Sequence, residues 1–145
     1  MSKVRRIITV LAALGALAAL PAAAQADITG NYVGKTEFSP PSFAPDAEPY
    51  QANFAMSILH NRVRAIAGIV RLECPETMID ERKLESLRLP RGGIKLSVTG
   101  GFVFNQAGIE VRGRVGARSA AGTISAGIGD CGVLGAKWHA TRHKV

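Results

Sequence analysis

The chain has 145 residues, 47% of them hydrophobic and 20% charged, with a formal charge of +7 and two cysteines. That length fits one domain with one core and excludes a second. No stretch beyond Leu20 is long and apolar enough to cross a bilayer, which excludes a membrane-spanning helix in the body of the chain.

In chain order, residues 1–26 read as a cleavable export signal. Lys3, Arg5 and Arg6 form a positive leader, Ile7 to Leu20 an apolar run, and Ala24-Gln25-Ala26 a small-x-small cleavage site. The apolar run is 14 residues, against the roughly 20 that span a bilayer, so a signal is preferred to an anchor. No cysteine lies near the cut to take a lipid. The mature chain, 27–145, is expected to start at Asp27 and to be soluble in the periplasm or the medium. The signal holds three of the 18 Lys and Arg and none of the 11 acids, so the formal charge falls from +7 to +4. Such a surface suits an anionic envelope polymer, nucleic acid or plain solvent.

Cys74 and Cys131 both lie in the exported portion. An even count in an oxidising compartment reads as one disulfide, and neither cysteine has a CxxC partner or a histidine at ligand spacing.

Alternation of period two runs through the rest. Ile28, Tyr32, Thr36 and Phe38 share one face of a first strand. Residues 39–50 hold four prolines and form a long loop, with Phe43 and Tyr50 as apolar handles for a contact. Phe54, Met56 and Ile58 alternate in a second strand, Asn61-Arg62 turns the chain, and Val63 to Cys74 returns as a third. Thr77 and Asp80 make a weak capping pattern, so Met78 to Leu87 is expected as a helical turn followed by a short strand. Strands then follow at Ile94–Thr99, Phe102–Phe104, Ile109–Val115, Gly122–Ala126 and around Trp138 and Ala140, with a glycine-rich stretch from Gly127 to Gly135. About eight short antiparallel strands predict an all-β fold, a single-domain β-sandwich with one disulfide, or alternatively a small closed β-barrel.

Gly30-x-Tyr32-x-Gly34-x-Thr36, the strand ending in Cys74, Gly101-Phe102, Val111-x-Gly113, Ala121-Gly122-Thr123-Ile124, Cys131 and Trp138-x-Ala140-x-Arg142 form an ordered series. The series resembles an uncharacterised group of small exported bacterial β-domains. That resemblance implies glycines at turns and close strand approaches, a paired Cys74 and Cys131, and a closing Trp-x-Ala-x-Arg strand. It implies a fold and an address, and no activity. The opening Gly30-x-Tyr32 also resembles that of lipocalins, avidins and periplasmic protease inhibitors, whose cavities carry further tryptophans; this chain has one.

Little here points to catalysis. There is no Gly-x-Ser-x-Gly elbow, and His60, His139 and His143 lack a neighbouring nucleophile and carboxylate at useful spacing. Asp80, Glu81 and Glu85 are interleaved with Arg82, Lys83 and Arg88 as in a solvated surface. A non-enzymatic binding or envelope-associated module without metal or cofactor is expected, or alternatively a small β-barrel that binds a ligand or inhibits a protease. The candidate site is a basic stripe of Arg112, Arg114, Arg118, Lys137 and Arg142, suited to an anionic polymer or a lipid headgroup, and the expected partner is an anionic envelope polymer or another exported protein. Nucleic acid is disfavoured because no aromatics are interleaved with these charges.

Overall fold

The computed structural model describes residues 27–133 and 135–143, so the expected export signal lies outside the described residues. The strands are β1 (Gly30–Phe38), β2 (Tyr50–Leu59), β3 (Arg62–Ala67), β4 (Ile69–Cys74), β5 (Met78–Lys83), β6 (Ile94–Lys95), β7 (Gly101–Gln106), β8 (Ile109–Val115), β9 (Ser119–Ile128), β10 (Cys131–Val133) and β11 (Ala136–His143). They join in one antiparallel sheet, ordered β5-β4-β10-β9-β11-β1-β2-β3-β6, with β8 also on β9 and β7 on β8. The all-β class and the Cys74–Cys131 disulfide are as the sequence led us to expect. The sheet is not closed into a barrel.

The strand count exceeds eight because one expected strand is divided and because β5 and β10 were not expected as strands. Val63 to Cys74 reads as a single run, yet its first part pairs with β2 and its second with β10. The change of partner falls at Gly68, whose φ of +152° is awkward for any residue with a side chain. A Cβ there would also approach the Asn53 carbonyl oxygen at 3.2 Å. This corner folds the sheet over, and Ile66, Val70 and Leu72 from its two arms enter the same hydrophobic cluster.

The helical turn expected from Met78 is instead strand β5. Glu76 and Thr77 take left-handed conformations, φ 64° and 61°, that turn β4 directly into a hairpin. Asp80, Glu81, Arg82 and Lys83 of the expected solvated surface sit on this edge strand, where they discourage pairing with another chain. A single 3₁₀ turn, Leu84–Ser86, follows, and residues 87–93 after it form no strand. It buries Leu84 while its backbone N–H donates to the Gly68 carbonyl, 2.9 Å. The expected strand Ile94–Thr99 shrinks to two residues, since Ser97 to Gly100 forms a turn closed by Gly100 N–H to Ser97 O at 2.9 Å. Val98 is therefore not a core residue but 91% exposed. Within the glycine-rich stretch lies the short strand β10, which places Cys131 beside β4 and Cys74.

Trp138 organises the core. Across the inward face it stands in register with Gly122 of β9, which stands opposite Gly113 of β8, which stands opposite Phe102 of β7. The two glycines leave room for the indole to lie flat over β9 and β8. A Cβ on Gly122 would come within 2.8 Å of Trp138 Cε2, and one on Gly113 would collide with Cζ2. The indole stacks on Phe54 at 4.5 Å and tilts against Phe102 at 6.1 Å.

Tyr32 is fully buried, and its hydroxyl hydrogen-bonds the carbonyls of Ile28 (2.8 Å) and Gly116 (2.9 Å). It thereby ties the segment before β1 to the β8–β9 turn. Burial pushes the phenol above its usual 10.0; Arg142 opposes this and Asp27 adds to it. A raised folded-state value means stability is present below pH 10 and is lost as pH rises through the folded value. Tyr32→Phe should cost about 1–2 kcal/mol in urea unfolding at neutral pH. It should also flatten the alkaline decline, and an unchanged decline would show that another group causes it.

Candidate functional site

Strand alternation and register assemble an outward face from separated pieces of sequence. Val103, Arg112, Thr123, Lys137, Glu37 and Gln51 lie opposite one another in a row across β7, β8, β9, β11, β1 and β2. One pair of residues along, the next row is Gly101, Arg114, Ala121, His139, Lys35 and Asn53. Each strand step is about 4.8 Å, so Arg112 and Lys137 stand roughly 10 Å apart, as do Arg114 and His139. The small side chains of Ala121 and Thr123 leave the cations standing clear.

The two rows differ in charge. In the first, Arg112 pairs with Glu110 at 2.8 Å and Lys137 faces Glu37 across the strand. The second contains no carboxylate among its cross-strand partners: Arg114, His139 and Lys35 are joined only by Ala121 and Asn53, whose Oδ1 accepts from Lys35 Nζ at 2.6 Å. Lys35 and His139 were not candidates on sequence. Their alternation showed that they face outward, but only the β1–β11 pairing places them beside Arg114.

Of the five expected cations, Arg112, Arg114 and Lys137 share this face. Arg118 is exposed in the β8–β9 turn at the end of it. Arg142 is not part of the stripe. Its position on β11 has the inward parity of Trp138 and Ala140. Its guanidinium is spent on the start of the domain, donating to the Asp27 carbonyl (2.7 Å) and the Ala117 carbonyl (3.3 Å), with the Asp27 carboxylate 3.6 Å away. The Thr29 backbone N–H, and then Arg142, hold the Asp27 carboxyl below its ordinary 3.8.

The face has a concave end. Gly101 to Val103, Arg112 to Arg114 and Ala121 to Thr123 floor an open depression of about 990 Å³, walled by Ile94 to Thr99. Exposed Val98 and Val103 stand at it with the two guanidiniums. A smaller hollow joins Val98 to the β8–β9 turn at Gly116 and Ala117, next to Arg118.

The proline-rich loop lies at the other end of β1. It is braced, not free, because the Ser42 N–H (3.0 Å) and hydroxyl both donate to Glu73 on β4. Tyr50 packs at 6.3 Å from Phe38 and carries the Arg71 guanidinium 4.0 Å over its ring. Phe43 and Tyr50 remain 45% and 42% exposed, so both are available at the surface, and Tyr50 borders the same open hollow as Lys35 and Asn53.

His60 sits in the β2–β3 turn at φ 51°, and His139 and His143 are four residues apart on β11, roughly 13 Å. Among the described residues no group of three or more His, Cys, Asp or Glu side chains gathers into a metal site, and no helix is long and apolar enough to cross a membrane. The fold and face define a disulfide-linked antiparallel β-domain with a basic outer surface. Comparison with known protein families, curated proteins and solved structures gave no match.

Proposed function

We propose that this is an exported, non-enzymatic binding module of the bacterial cell envelope that uses its outer sheet face to hold an anionic partner. The observation that carries the reading is the row Arg114, His139 and Lys35, drawn from three strands and unbroken by a carboxylate. A disulfide between Cys74 and Cys131 accords with an oxidising compartment outside the cytoplasm. The interior is occupied by Trp138, Tyr32, Phe38, Phe54 and Leu72, all under 2% exposed, which favours a contact on the outside over a ligand held within.

Binding of the mature protein to a soluble polyanion such as dextran sulfate tests this. Affinity should fall steeply with salt, since exposed charges are screened within a Debye length. The combined Lys35→Gln and Arg114→Gln variant should bind about tenfold or more weakly at low salt. Salt-independent binding, or none, would remove the basis for the reading.

A further inference from the structure

We propose that the anionic partner of the concave end is a lipid surface, with Val98 entering the bilayer interface while Arg112, Arg114 and Arg118 meet headgroups. This rests on the functional reading above and names the partner's chemistry. Val98 projects from the tight turn Ser97–Gly100, where Gly100 takes φ +81°, and is 91% exposed. Val103, 55% exposed, extends the apolar surface along β7, directly opposite Arg112 in the strand register. Arg112 and Arg114 are two residues apart on the same face of β8, about 7 Å, and Arg118 follows in the turn bordering Val98.

The combination discriminates between anionic partners. A polysaccharide or single-stranded nucleic acid is held by charge with hydrogen bonds or stacked rings. Here the depression offers aliphatic carbon beside guanidinium: exposed Val98 and Val103 line it together with Arg112 and Arg114. That pairing suits a bilayer interface, where acyl carbon lies directly beneath negative headgroups. Lys95, exposed in the same wall, adds a further cation.

The test is co-sedimentation of the mature, oxidised protein with vesicles of phosphatidylcholine alone and of an equal mixture with phosphatidylglycerol. The proposal expects binding to the mixed vesicles only, weakened by salt. Val98→Asp should reduce partitioning about tenfold or more, since it removes the inserted apolar group. Arg112→Gln with Arg114→Gln should reduce it about thirtyfold, each cation near a charged surface contributing on the order of a factor of five. Val98 is nearly all in solvent, so its replacement leaves the fold intact, checked by thermal unfolding. Binding unaffected by Val98→Asp overturns lipid insertion even if the arginine variant binds weakly. Failure to bind mixed vesicles while dextran sulfate is bound also overturns it, and leaves the broader anionic reading standing.

Discussion

Trp138→Ala is expected to destabilise the domain by about 3–5 kcal/mol, read from urea or thermal unfolding. The indole is 1% exposed, stacks on Phe54 and lies over two strands, so its loss leaves a void bounded by backbone that cannot collapse into it. The glycines beneath it should be almost as intolerant. Gly122→Ala drives a Cβ into the Arg112 carbonyl oxygen as well as against Trp138 Cε2 at 2.8 Å, and backbone cannot move aside as a flexible side chain would. Overpacking of this kind costs about 1–3 kcal/mol or more. Gly113→Ala meets the indole first, at Cζ2, and the Ala121 carbonyl oxygen second, at 2.7 Å. Its cost should therefore shrink when Trp138 is already alanine, a coupling that a double-mutant cycle measures. Strict additivity of Gly113→Ala and Trp138→Ala would show that the indole does not rest on β8.

Cys74→Ser with Cys131→Ser is expected to cost about 4 kcal/mol, because the bridge closes a loop with a sequence separation of 57. Many small domains have little more net stability than that. The effect should be local as well as global. The disulfide fastens β4 to β10, whose pairing is limited to Gly132 with Glu73 and Val133 with Leu72. Without it, amides of β4 and β5 should exchange faster than those of β1, β2 and β11, which are held by long ladders on both sides of β1. Hydrogen exchange on reduced and oxidised protein checks this. A reduced form with unchanged stability and uniform exchange would show that the bridge is not what secures the corner.

The strand faces were legible wherever one side is buried and the other wet. Phe54, Met56 and Ile58, then Ile109, Val111 and Val115, carry that contrast in the sequence and are buried in the structure. The reading failed where the determinant was backbone conformation. Met78 to Lys83 has helix-compatible residues, but the left-handed pair Glu76 and Thr77 commits it to a hairpin. Val98 continues an alternation that is physically ended by the turn at Gly100. On the candidate site, Arg112, Arg114 and Lys137 were correctly assigned to outward positions, while Arg142 was assigned by charge alone and lies on the opposite parity, bound to Asp27.

By itself the sequence determined the all-β class, the inward residues of most strands and the pairing of the two cysteines. These depend on solvent contrast of period two and on a count of thiols, both local properties. The tertiary structure decided what is adjacent to what. Lys35, Arg114 and His139 become one carboxylate-free row only through the β8–β9–β11–β1 register, a relation among residues 25 to 104 positions apart. Gly113 and Gly122 acquire their role only because the indole of Trp138 lies across them, and Val98 its exposure because a turn carries it past the last position the core could cover.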